Sequence, residues 1–244
     1  MRFMSVASLL ALTLFVAGGP FARAGEFQSE EGISFQYPED WVAITQLNQG
    51  DLLPEILEYL RSNQFDLKSV HVLVLRVTTD EFAENVNLII IPGQIVASQS
   101  VLDQRKANMP VEHEKLGVKV SHLSGAIETI ADRPALVLTS DVLMPFAEEP
   151  LRQRQVLIPG GGKTFVITCT APQASYDKYA STFDEILRSL KLPAPVASGF
   201  DGLAYSIGIG MIIGGLIGAL VGTKLFASLK KKLAVKKPND EVER

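Results

Sequence analysis

Residues 164–190 read TFVITCTAPQASYDKYASTFDEILRSL. The first seven residues, Thr164 to Thr170, alternate so that Phe165, Ile167 and Cys169 share one side of an extended chain, as a strand with an apolar face requires. From Ser175 to Leu190 the period changes to that of a helix. Tyr176, Tyr179, Ala180, Phe183, Ile186, Leu187 and Leu190 then form one apolar stripe. Just upstream, Pro159 to Gly162 marks a tight turn, and Arg152 to Ile158, Ala135 to Val142 and Val118 to Thr129 read as strands with short links between them. Short links between successive strands mean antiparallel pairing.

Further out the signals are mixed. Ser98 to Glu114 has a helical pattern that Pro110 is expected to interrupt. Val86 to Ile91 and Val70 to Val77 are apolar on both faces, as in central strands covered on both sides. Asp51 to Ser62 is predicted helical, with Leu53, Ile56, Leu57 and Leu60 on one face and Pro54 in the tolerant first turn. Gly32 to Tyr37 and Trp41 to Thr45 flank a turn at Pro38-Glu39-Asp40. Strands in the middle with helices before, between and after them predict an α+β fold with a mainly antiparallel sheet.

The 244 residues carry a formal net charge of −4, which hides an asymmetry. Residues 25–199 hold 14 Lys and Arg against 23 Asp and Glu, a balance of −9, whereas residues 224–244 hold 7 against 3, a balance of +4. An acidic body excludes nucleic acid as a partner, because a phosphate backbone needs a basic face. The one cysteine, Cys169, offers no disulfide, so the fold rests on its core alone.

Residues 1–24 read as a signal peptide. Arg2 precedes an apolar stretch from Ala7 to Gly19, and Ala22-Arg23-Ala24 presents small residues for cleavage before Gly25. Residues 193–202 form a linker rich in Pro, Gly, Ser and Ala. Leu203 to Thr223 contains 21 residues without a charge, a length of about 31 Å as a helix and enough to cross a hydrocarbon core. Lys224, Lys230, Lys231, Lys232, Lys236 and Lys237 follow, so the tail 224–244 is expected on the cytoplasmic side and the body, residues 25–192, on the extracytoplasmic (periplasmic) side, of a bacterial inner membrane or a thylakoid alike. Within the span Ser206, Gly210, Gly214, Gly218 and Gly222 recur every four residues along one drifting face. Small residues in register let helix backbones approach closely in lipid, so this face predicts association with a second copy or another membrane protein.

Four stretches resemble PsbP-like domains: Phe35-Gln36-Tyr37-Pro38-Glu39-Asp40-Trp41, Asn85-Val86-Asn87-Leu88, Arg133-Pro134-Ala135-Leu136-Val137-Leu138, and Thr164 to Ala171 followed by Phe183 to Leu190. The resemblance covers residues 25–192. It implies an α/β/α sandwich around an antiparallel sheet, to which this chain adds a C-terminal transmembrane helix. Plant members are extrinsic subunits of photosystem II and bacterial relatives are exported proteins. The family supplies no shared catalytic residues, and a fold alone does not give a function.

The candidate chemistry is sparse. Gly160-Gly161-Gly162-Lys163-Thr164 shares glycines and a Lys-Thr pair with phosphate-binding loops, but Leu157 stands where a glycine is needed and a strand follows where a helix is needed, so a hairpin turn is expected. Asp80, Glu81, Glu84, Asn85 and Asn87 are oxygen-rich. Asp80, Glu81 and Glu84 are the candidates for a hard cation, against the simpler reading of a solvated acidic loop. Cys169 on an apolar strand face is expected to be inert core. His71, His113 and His122 show no metal-binding spacing, and His71 alternates with Leu73 and Leu75 as a packed residue. Trp41 reads as a core anchor. No cofactor is expected. The leading expectation is a membrane-tethered, extracytoplasmic binding or assembly module without catalytic activity, with the membrane and a protein as partners. The alternatives are an extracytoplasmic hydrolase with a dispersed carboxylate and histidine site, or a passive envelope spacer or stress factor.

Overall fold

The computed structural model describes residues 24–45, 62, 70–76, 84–145 and 149–196. A seven-stranded sheet has the order β3-β4-β5-β9-β8-β7-β6, and every neighbouring pair is antiparallel. Its strands are β3 (Trp41–Ile44), β4 (Val70–Arg76), β5 (Asn85–Pro92), β6 (Lys119–Ile130), β7 (Arg133–Leu143), β8 (Leu151–Gly160) and β9 (Lys163–Pro172). A separate hairpin pairs β1 (Ala24–Gln28) with β2 (Ser34–Pro38). Two helices accompany the sheet, α1 (Gln99–Glu114) and α2 (Tyr176–Arg188). This is the α+β class with an antiparallel sheet that the sequence predicts.

Alternation along the strands assigns the helices to opposite faces. Phe165, Ile167, Cys169 and Ala171 of β9, Val86 and Leu88 of β5, Val156 and Ile158 of β8, and Ala135 and Val137 of β7 form one core with the α2 stripe. Phe183 of α2 is wholly buried there, edge-on to Trp41 at 6.1 Å and 5.6 Å from Tyr176. Trp41 is therefore the core anchor it was expected to be. Phe27, Ile33 and Phe35 bring the β1–β2 hairpin into the same core, although no strand at 24–28 is apparent from the sequence. The opposite face meets α1. A side chain at Gly125 of β6 would strike Leu102 of α1 and Leu138 of β7, so the absence of a Cβ lets α1 lie close.

Two tight turns close the long hairpins. Gly161 and Gly162, at φ +57° and +76°, join β8 to β9, and both need the left-handed backbone that glycine adopts without penalty. The turn is two residues long rather than four, because β8 continues through Pro159 and Gly160. The glycine-rich segment is thus a hairpin turn, as its missing loop glycine predicts. Ala131 and Asp132 take the same backbone form between β6 and β7.

Helix α1 runs through Pro110 without a break, contrary to the interruption expected. A mid-helix proline costs about 3 kcal/mol. Here Pro110 sits on the exposed side, while Leu102, Met109 and His113 are buried on the other and offset that cost. Ser98 caps the helix by accepting a hydrogen bond from the Val101 amide. Of the helix expected at 51–62 only Ser62 is described, and it is helical. Among the described residues no helix is long and apolar enough to cross a membrane, and residues 203–223 lie outside them.

Candidate functional site

The α2 face is sealed by apolar packing and ion pairs. Arg76 of β4 pairs with Glu84 at 2.5 Å and lies over the Tyr179 ring. Arg152 of β8 grips Asp141 of β7 through Nε and Nη2, at 2.7 and 3.0 Å, while Gln173 donates to the same carboxylate. The hydrogen bonds from Arg152 hold the Asp141 carboxyl below the usual carboxylate range. Arg154 bridges Glu128 of β6 and Asp184 of α2. These arginines fasten the sheet to α2. Cys169 is wholly buried among them, and burial pushes its thiol up to about 12, so it is inert core as expected.

The α1 face is different in kind. In its middle the strands present two rows of polar side chains where apolar ones are the rule. One row is Asn85, Thr170, Gln153 and Ser140, from β5, β9, β8 and β7 in cross-strand register. The next is Asn87, Thr168 and Gln155, which continues into Leu138 and Gly125 beneath Leu102 of α1. Ile89, Val166, Leu157 and Leu136 bound the rows on one side with an apolar row. All seven polar side chains are at most 2% exposed.

Their internal bonding is thin. Asn87 Nδ2 donates to the Thr168 carbonyl at 3.3 Å, and Gln155 Nε2 to Thr168 Oγ1 at 3.4 Å. Asn87 Oδ1, Gln155 Oε1, Gln153 Nε2 and Thr170 Oγ1 have no partner among the described residues. A buried polar atom left unpaired costs about 1–3 kcal/mol, so four of them on one patch are a substantial liability unless something bonds to them. Above this face α1 buries Arg105 and His113. Arg105 pairs with Glu112 at 3.5 Å. His113 Nδ1 bonds the Met109 carbonyl at 2.8 Å, and burial lowers its pKa to about 4, so the ring is neutral. The rows hold acceptors and donors of both kinds and no ionisable group. Closed to solvent and without an acid or base, they have no means to move a proton.

The residues singled out from sequence fall elsewhere. Glu84 itself is buried and paired with Arg76 rather than solvated. Asn85 and Asn87, grouped with it, are sheet residues of the polar rows. Asp80 and Glu81 lie outside the described residues, as do Ser206, Gly210, Gly214, Gly218 and Gly222. Among the described residues no three His, Cys, Asp or Glu side chains gather as a metal site would need. His71 is half-buried near Glu31 and Lys163, and its pKa is lowered by burial. His122 is exposed and stands in register with Asp141.

No protein-family model matches the chain, and no curated protein sequence does. Among solved structures, it is similar to the solution structure of cyanobacterial PsbP from Synechocystis sp. PCC 6803, at 14% identity over 77% of this chain and 98% of that one, with a TM-score of 0.46. It is also similar to LpqN, described as involved in cell envelope biogenesis of Mycobacterium tuberculosis, at 16% identity over 72% of this chain and 87% of that one, with a TM-score of 0.41.

Proposed function

We propose that the chain is an extracytoplasmic binding or assembly module without catalytic activity, tethered to a membrane by residues 203–223. The observation that carries this reading is the order of segments along the chain, an export signal ahead of the body and an uncharged 21-residue span with a lysine-rich tail behind it. Seven neutral side chains, four with unpaired atoms, are kept in the interior at a cost in stability. Closed to solvent, these side chains offer no acid, base or nucleophile to a substrate, in keeping with a body that does no chemistry at this place. An export signal at 1–24 and a lysine-rich tail after an uncharged span support the location. The neighbours in fold, one of them described as involved in envelope biogenesis, are in keeping with an envelope domain. The small-residue face Ser206, Gly210, Gly214, Gly218 and Gly222 would hold the partner helix, while the body contacts a second molecule outside.

The test is crosslinking of the full chain in its membrane, followed by recovery of what comes with it. Gly214→Leu with Gly218→Leu should lose a membrane partner, and residues 25–192 without the span should still recover a partner bound by the body. Unchanged recovery with the glycine pair, and no partner recovered by the body, refutes the reading. A hydrolase is favoured by one observation only, His122 opposite Asp141 across β6 and β7. Turnover of generic ester or glycoside substrates that is lost in His122→Ala would establish it instead.

A further inference from the structure

The segment after α2 does not leave the body at once. Lys191 makes an antiparallel bridge to Ser34, with both backbone hydrogen bonds formed, at 2.8 and 3.0 Å. Arg133, beside the β6–β7 turn, then gathers carbonyls: Nη1 donates to Pro193 at 2.7 Å and to Pro159 at 3.0 Å, and Nη2 to Leu192 at 3.4 Å. The Gly161 amide donates to the Ala194 carbonyl at 2.8 Å. Gln94 pairs with both backbone groups of Val196, its Nε2 donating to the carbonyl at 2.9 Å and its Oε1 accepting from the amide at 3.0 Å. Pro193 lies so close to Gly160 and Gly161 that a Cβ on Gly160 would meet the Pro193 oxygen at 2.9 Å. The first residues of the expected linker are therefore a strap bound across one end of the sheet.

Only residues 197–202 separate this strap from the uncharged span at 203. Fully extended they reach about 21 Å. We infer that the strap fixes the domain's orientation, so that the end of the sheet bearing the β5–α1 connection, the β6–β7 turn and the β8–β9 turn lies against lipid headgroups. The inference rests on the membrane crossing by 203–223. The surface at this end suits that partner. Four large hydrophobic side chains are exposed among the described residues, and three belong to this half of the sheet: Val96 at 38%, Ile127 at 40% and Val196 at 44%. The fourth, Val111, is near the far end of α1. Nearby charges balance, with Arg133, Lys163 and Lys191 against Glu30, Glu31 and Asp132, and Lys163 pairs directly with Glu31. Contact therefore depends on apolar side chains at the interface rather than on anionic lipid. The β7–β8 connection lies at the other end of ten-residue strands, about 33 Å away.

The test uses the full chain in phosphatidylcholine vesicles containing a lipid with a nitroxide on its headgroup. A fluorophore is placed on Val96→Cys, Ile127→Cys or Glu149→Cys, while buried Cys169 stays silent. Quenching should be several-fold stronger at 96 and 127 than at 149, and should not change when anionic lipid is added. Arg133→Gln with Gln94→Ala should level the three positions while the chain stays in the vesicles. Gln94→Ala alone, which spares the sheet, should level them in part. Equal quenching in a chain that resists salt washing refutes the orientation but leaves the tether standing. A chain that salt washes off the vesicles removes the tether and the orientation together.

Discussion

Acidification from pH 7 towards pH 4 should weaken the fold mainly through His113. Its ring is wholly buried on the sheet side of α1, donates through Nδ1 to the Met109 carbonyl, and has Nε2 without a partner among the described residues. Burial, opposed by the Met109 bond and aided by the nearby Arg105 charge, lowers its pKa from 6.5 to about 4. The unfolded chain therefore takes up a proton near pH 6.5 that the folded chain refuses until about pH 4. Stability from this residue is complete above pH 6.5, falls as the pH drops through that window, and is flat below it. Each pH unit between the two values is worth about 1.4 kcal/mol, so the loss approaches roughly 3 kcal/mol, and about 2 kcal/mol is gone by pH 5. Trp41 is the one tryptophan and is buried against Phe183, so its emission reports unfolding in urea. The assay is a series of urea curves between pH 7.5 and 4 for the wild type and His113→Gln. The wild type should lose stability across the window while the variant's curve is nearly level. His71 is also lowered by burial and leaves a small residual slope, which His71→Gln should remove. Asp141, held down by Arg152, stabilises the fold throughout this window and begins to lose that contribution only as the pH falls into the ordinary carboxylate range. Equal slopes in wild type and His113→Gln would refute the reasoning.

Phe183→Ala should cost about 3–5 kcal/mol by the same fluorescence assay, because a wholly buried ring between Trp41 and Tyr176 leaves a cavity; a loss below 1 kcal/mol contradicts the packing. Gln155→Met should raise stability by up to about 1 kcal/mol, since it removes an unpaired buried oxygen at the loss of one long 3.4 Å bond to Thr168 Oγ1 while keeping the volume; a clear loss would mean that the Gln155 oxygen is paired. Cys169 should resist thiol reagents at pH 8 in the folded chain and react fully in urea; fast labelling of the folded chain would place it at the surface.

Local periodicity made much of the body legible. The alternation of Phe165, Ile167 and Cys169 and the stripe from Tyr176 to Leu190 gave both the last strand and the helix that covers it, since each pattern is set by neighbours a few residues apart. What was not legible depends on residues far apart in the chain. Asn87 and Gln155 are 68 positions apart and form one row only because β9 lies between their strands. In the sequence Asn85 and Asn87 look like company for Glu84, Glu81 and Asp80, and a solvated loop is the natural reading. Nothing local shows that Arg76 takes up Glu84 while the two asparagines turn inward. Likewise Pro193 to Val196 has the composition of a linker, and only the placement of Arg133 and Gln94 at the same end of the sheet makes it a strap. The continuity of α1 through Pro110 has the same origin, because burial on its far side outweighs the local preference.

The account stands most directly on which side of the membrane the body lies. Buried Cys169 makes the chain effectively blank to a membrane-impermeant maleimide, so a single cysteine reports its own side. In sealed cells making the full chain, Glu149→Cys should label from outside, and Asn239→Cys should label only after the membrane is opened. Labelling of Asn239→Cys in sealed cells, or silence at Glu149→Cys until they are opened, would contradict it.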